Sequence, residues 1–172
     1  MNKTEIQIFY NYHYWANRRI LTAAAQLSQE QFFSAPGHGL ESLHAILTHC
    51  VDAEHGWRTL WQTGTIDGFE AVSKEGIPTL EALTQRWAQE EQALRAYLGG
   101  LTDEDLSGYV RYTAHNGVKR ERLLWHTLWH LVNHGTQHRS EAAAILTGYG
   151  CSPGDLDFTM FLNDAVARSS HS

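Results

Sequence analysis

The stretch ERLLWHTLWHLVNHGTQHRSEAAAILTGY, residues Glu121–Tyr149, decides the reading of the chain. It has no proline and a single glycine in its interior, Gly135, so the spacing predicts one long helix. Four histidines recur at four-residue steps: His126, His130, His134 and His138. Residues four apart share a helix face, but 3.6 residues per turn rotates such a stripe by about 40° per step. On a helical wheel with the apolar set Leu124, Leu128, Leu131, Val132, Ala142 and Leu146, His126 falls far from the apolar side. His130 is intermediate, and His134 and His138 turn progressively into that side. Two imidazoles at i and i+4 can converge on one divalent ion. Eleven histidines make such a pair common by chance, and solvated or core histidines would give the same spacing, so a third ligand is required.

The bulk numbers narrow the class. The 172 residues suit one domain, 1–172, with a full core. Apolar residues make up 42 % and charged residues 19 %, a globular balance. The net charge of −6 with scattered basic residues argues against nucleic-acid binding. No apolar run reaches the ~20 residues of a membrane span, and the N-terminal MNKTEIQIFYNYHYW lacks a signal-peptide core. Cys50 and Cys151 form no metal or redox spacing. A cytoplasmic protein with reduced thiols is the expectation.

Helical periodicity marks four more segments. The first helix is expected over Thr4–Leu27 with Thr4 as cap, followed by a loop through SAPGHGLES. The second covers Ser42–Gln62, ended by Gly64 and Gly68. The third starts at Thr79 and stops at Gly99-Gly100, with Asp103, Glu104 and Asp105 in a solvated turn. Tyr109–Thr113 and the Asn116-Gly117 pair predict a short hairpin before the long helix. A short last helix spans Asp157–Val166, and the tail with His171 carries no assigned role. These elements make an all-α helical bundle, with Trp57, Trp61, Trp87, Trp125 and Trp129 expected as core filling.

The second helix offers His44, His49 and His55. On its wheel only His49 borders the apolar face, one turn from Ile46 and Ala53, and Asp52 lies where it could orient a ligating imidazole. Cys50, next to His49, points elsewhere and reads as core.

The segments YHYWANRRIL, SLHAILTHCVDAEHGW, LWHLVNHGTQHRSE and LDFTMFLND together make the chain resemble the DinB/YfiT-like superfamily along nearly its whole length. The resemblance implies an up-down-down-up four-helix bundle, often dimeric, with a divalent metal in a pocket. Carried over by position, the family's metal histidines fall on His49, His134 and His138, the three that the wheels select. The chain departs from many members at Ser140-Glu141, which leaves the role of Glu141 open. Some relatives are transferases or isomerases that use low-molecular-weight thiols, and others are described as metal-dependent hydrolases.

Three neutral imidazoles leave a bound ion its full charge and open positions, the arrangement of a catalytic site. The ligand type suits zinc, nickel, copper or iron and does not choose among them; zinc or nickel is the expectation, with iron or manganese as further candidates. The expectation is a divalent-metal-binding enzyme acting on a small molecule, with a low-molecular-weight thiol as candidate and a homodimer as the assembly. The alternative is a metal- or ligand-binding bundle without turnover. A di-iron carboxylate site ranks low, because only Glu41 and His44 have the Glu-x-x-His spacing.

Overall fold

The computed structural model describes residues 1–35, 37, 41–66, 69–114 and 117–169, with the side chains of 74, 75 and 166–169 outside that description. Gly68, Asn116, His171 and part of the SAPGHGLES loop, all singled out above, lie outside the described residues. Four long helices carry the architecture: α1 (Lys3–Ala24), α3 (Leu43–Thr63), α4 (Leu80–Gly100) and α6 (Leu124–Gly148). Shorter elements join them: α2 (Gln29–Phe33), a 3₁₀ turn (Val72–Glu75), α5 (Asp103–Leu106), strands β1 (Tyr109–Thr113) and β2 (Lys119–Leu123), and α7 (Phe158–Ser169).

Local chemistry sets the helix ends. Asn2, not Thr4, caps α1: its side chain accepts from the Glu5 N–H while Glu5 accepts from the Asn2 N–H. That reciprocal box satisfies two orphan donors and starts the helix at Lys3, ahead of Thr4. Ser42 and Thr79 cap α3 and α4 by accepting from Ala45 and Ala82. Gly64, at φ +77°, ends α3 in the left-handed region that glycine enters without strain. Gly99 and Gly100 stay inside α4, which ends at Gly100 with the extended Leu101 as its cap. The acidic run expected as a solvated turn is the helix α5, capped by Thr102 and Asp105, which plants Leu106 in the core. α7 reaches Ser169, beyond its expected end.

The long helix begins three residues later than its pattern suggests. Glu121, Arg122 and Leu123 belong to β2, paired with Arg111, Val110 and Tyr109 of β1. Ladder hydrogen bonds to β1 hold them extended, and the helix starts where the ladder stops.

Helix directions follow from contact order. The Tyr10 hydroxyl donates to the Leu128 carbonyl and Arg139 reaches Asn17, so α1 and α6 run parallel. Trp61 donates to Thr127 while His49 meets His134, so α3 runs against α6. Trp87 meets Glu54 and Arg58 meets Glu90, so α4 runs with α3. The bundle is all-α and up-down-down-up. α6 and α4 each pack against both α1 and α3, which leaves α1 and α3 on the diagonal. Among the described residues, no helix is long and apolar enough to cross a membrane.

The tryptophans divide differently from the expectation. Trp15 and Trp87 are buried, whereas Trp57, Trp61 and Trp125 are half-buried and Trp129 is 39 % exposed. Their outward positions leave Trp57 free to line a cleft.

Gly135 lets α1 approach α6. A Cβ built there would lie 2.5 Å from His13 Cε1 and 2.7 Å from the Arg139 guanidinium. Gly135→Ala is therefore expected to destabilise the fold by about 1–3 kcal/mol through overpacking. Gly148→Ala, where a Cβ meets nothing within 4 Å, should be neutral or slightly stabilising. Urea denaturation of both variants checks the contrast; equal stabilities would contradict it.

Candidate metal centre

His49 of α3 and His134 and His138 of α6 come together where the antiparallel pair α3–α6 is in contact. One ligand atom from each lies within 4.8 Å of the other two. The Nε2 atoms of His49 and His134 are 3.2 Å apart. Two donors on one tetrahedral ion, each at 2.0–2.1 Å, would stand about 3.3 Å apart. The ring centroids are separated by 5.1 Å (His49–His134), 4.7 Å (His49–His138) and 4.5 Å (His134–His138). All three donors are imidazoles, so the set fits a divalent ion of borderline softness.

Glu141, left open by the sequence, has a defined place. Its Oε2 lies 2.8 Å from His138 Nδ1. A proton on Nδ1 donated to this carboxylate leaves the Nε2 lone pair available to an ion. Asp52 does not orient a ligand as expected: its Oδ1 accepts from the Ser73 N–H and caps the 3₁₀ turn. The Nδ1 of His134 is buried and, among the described residues, has no hydrogen-bond partner, so only its Nε2 side is tied, to His49.

The other described histidines of α3 and α6 separate from the cluster. His126 is exposed and packs on Trp125, at 4.1 Å between centroids. His130 lines the cleft next to the cluster, 5.8 Å from His134 and 5.4 Å from Trp57. His44 bonds the Ile77 carbonyl, and His55 joins Arg58 on the buried Glu90 of α4. His55 thus faces a neighbouring helix rather than open solvent.

Beneath the cluster lies a buried polar network that periodicity did not reveal. His13, Asn17, Glu54 and Arg139 are each at most 4 % exposed. The Arg139 guanidinium donates to His13 Nδ1 and to Asn17 Oδ1, both at 2.9 Å. His13 Nε2 meets Glu54 Oε1 at 2.8 Å, and Asn17 and Trp87 donate to the same oxygen. With Arg139 donating to Nδ1, the His13 proton must sit on Nε2, facing the carboxylate. The available signal was His13 and Asn17, four apart, lying amid the apolar face of α1.

Electrostatics keeps several of these rings neutral. Burial lowers the His13 pKa, opposed by Glu54 and reinforced by Arg139. Burial, then the neighbouring His138, His49 and His130, push His134 down to about 4. Burial and His138 also lower His49. Cys50 is buried and its thiol is pushed up to about 12, so it stays protonated and inert, as core.

A cleft of about 420 Å³ opens beside the cluster. His49, His130 and His134 form one wall, and Trp57, Phe69 and Tyr112 supply aromatic surface. The hairpin roofs it: Tyr112 meets Trp57 edge-on at 5.5 Å.

The lowered histidines set a pH dependence. In the unfolded chain their pKa returns to about 6.5. Below that value the unfolded state binds more protons, so their contribution is complete above 6.5 and is lost as pH falls, for His134 down to about 4. With chelator present, the melting temperature should drop from pH 7.5 to pH 5. A flat or rising profile would contradict this assignment.

The DinB family model matches residues 1–169 of the chain. Protein DinB of Bacillus subtilis (strain 168) is 25 % identical over 163 residues, covering 89 % of this chain and 92 % of that protein. The crystal structure of a DinB-like protein, YjoA, from Bacillus subtilis superposes with a TM-score of 0.64 at 17 % identity. The alignment covers 84 % of this chain and 92 % of that one, and it supports the bundle fold. With a match that runs almost from end to end, this chain belongs to the DinB family.

Proposed function

We propose that the protein is a divalent-metal-dependent enzyme, of thiol-dependent transferase or hydrolase type. His49, His134 and His138 hold the ion. The observation that carries this reading is the convergence of three imidazoles, two of which, His49 and His134, line an aromatic cleft. A structural site would close on four protein ligands, whereas three leave room for a reactant. Zinc or nickel suits the all-imidazole set best, with iron or manganese as further candidates. A bound ion would supply Lewis acidity and a lowered pKa for a coordinated thiol or water.

The chain's own residues have separable tasks in this reading. Glu141 fixes the His138 ring through Nδ1. Trp57, Phe69 and Tyr112 seat the apolar part of a small substrate and exclude water. His130 shapes the rim between cluster and cleft. A homodimer belongs to the same proposal, supported by the exposed apolar side chains of Trp129, Met160 and Leu162.

Elemental analysis of tag-free protein is expected to find about one divalent ion per chain. His49→Ala and His138→Ala should lose it, and His126→Ala and His130→Ala should keep it. Glu141→Ala should weaken affinity about 10–100-fold. Full metal content in both His49→Ala and His138→Ala would overturn the assignment.

Turnover is tested on the loaded protein with a panel of low-molecular-weight thiols, electrophilic acceptors and hydrolysable esters and amides. Metal-dependent product formation is the expected result. Saturable binding of these compounds with no product would favour the metal- and ligand-binding alternative.

A further inference from the structure

The cleft beside the histidine cluster continues into a second, outer space of about 720 Å³. The two share Leu60, Ile66, Tyr112, Thr113 and Ala114, so they adjoin at the hairpin as the inner and outer parts of one trough. The inner part is aromatic and the outer part is basic. Within 109–123 there are four basic residues, Arg111, Lys119, Arg120 and Arg122, against the single acid Glu121, a formal +3. The whole chain carries −6, so the hairpin stands out against an acidic molecule.

Arg120 differs from its neighbours. Arg111 pairs with Glu121, and Arg122 donates to the Glu121 carbonyl. Lys119 is exposed and pairs in register with Thr113. Arg120 is the direct cross-strand partner of Tyr112, so the two side chains leave the ribbon on the same face. Tyr112 on that face meets Trp57 inside the cleft. Arg120 is half-buried at the trough, and among the described residues its guanidinium has no ion pair or hydrogen bond. A partly desolvated guanidinium without an anion is unfavourable, and its planar fork matches a carboxylate with two parallel bonds.

We propose that the trough takes a small organic acid, with an apolar, aromatic-sized body between Trp57, Phe69 and Tyr112 and its carboxylate on Arg120. The inference rests on reading the cleft as the substrate pocket of the histidine site. Asp52, the one acid on the inner lining, is turned to the Ser73 N–H and leaves the aromatic walls uncharged. The inner volume of about 420 Å³ suits a compact molecule rather than a polymer. The positive outer end also steers an anion toward the trough.

The test is calorimetric titration of the full chain with 3-phenylpropanoate and with its uncharged amide, 3-phenylpropanamide. Both are run on the protein as purified and after chelation. The acid should bind at least about tenfold more tightly than the amide in both states. Arg120→Gln should bring the two within about twofold of each other and leave metal content unchanged. Trp57→Ala should weaken both ligands. Equal affinity of acid and amide for the wild type, no binding of either, or discrimination that survives in Arg120→Gln overturns the proposal. Discrimination that vanishes on chelation assigns the carboxylate to the metal and also overturns it. A metal-free His49→Ala protein that still prefers the acid supports the Arg120 subsite independently of the ion.

Discussion

The guanidinium of Arg139 is the contact on which the rest of the bundle depends. It is 2 % exposed and lies one residue beyond His138 on α6. Its donors reach His13 and Asn17 of α1, which pass the connection to Glu54 of α3, and Glu54 accepts from Trp87 of α4. All four long helices thus meet through hydrogen bonds at one level, and the His13–Glu54 bond crosses the diagonal between α1 and α3. A charge buried this deeply is tolerable only when its donors are satisfied, which fixes both the rotation and the axial height of each helix. Gly135 is the steric counterpart, since it admits the His13 ring to the surface of α6.

That constraint sits directly beneath the histidine cluster, with consequences for the site. Arg139 points to the core while His138, its neighbour, points toward α3. Holding one side chain fixes the azimuth of the other. Glu54 and Cys50 lie on α3 within two turns of His49, so the same network sets how α3 presents that ring. The three imidazoles converge because the scaffold has no freedom to separate them, and Glu141 adds a local orienting bond for His138. Positioning of this kind, by buried hydrogen bonds on rigid helices, is what precise ligand geometry demands.

The hairpin has a different task. Its two strands interrupt an otherwise helical chain and carry Tyr112 and Arg120 over the open side of the cleft. A helix at this place would spread its side chains at 100° intervals. A ribbon puts every second residue on one face, so an aromatic ring and a cation stand side by side above the pocket.

Much of this was legible in the chain itself. The four-residue steps of His126, His130, His134 and His138, the Ser42 and Thr79 caps, the strand formers around Asn116-Gly117 and the apolar stripes are local patterns. Local patterns survive as helices and strands because backbone hydrogen bonds are made within a few residues, or across one turn. The up-down-down-up bundle and the membership of the DinB family followed from those patterns and from the resemblance they carried. Helical spacing extends α6 too far at its start, because a ladder partner outweighs it at Glu121–Leu123. Glu141, one turn beyond His138 on the same helix, was within reach of the sequence, whereas the turn of Asp52 toward Ser73, the buried His13–Glu54–Arg139 network and the aromatic and basic halves of the trough were decided by tertiary structure alone. Each depends on how far one helix is rotated and slid against another, a relation between distant residues that no periodicity within a single segment records.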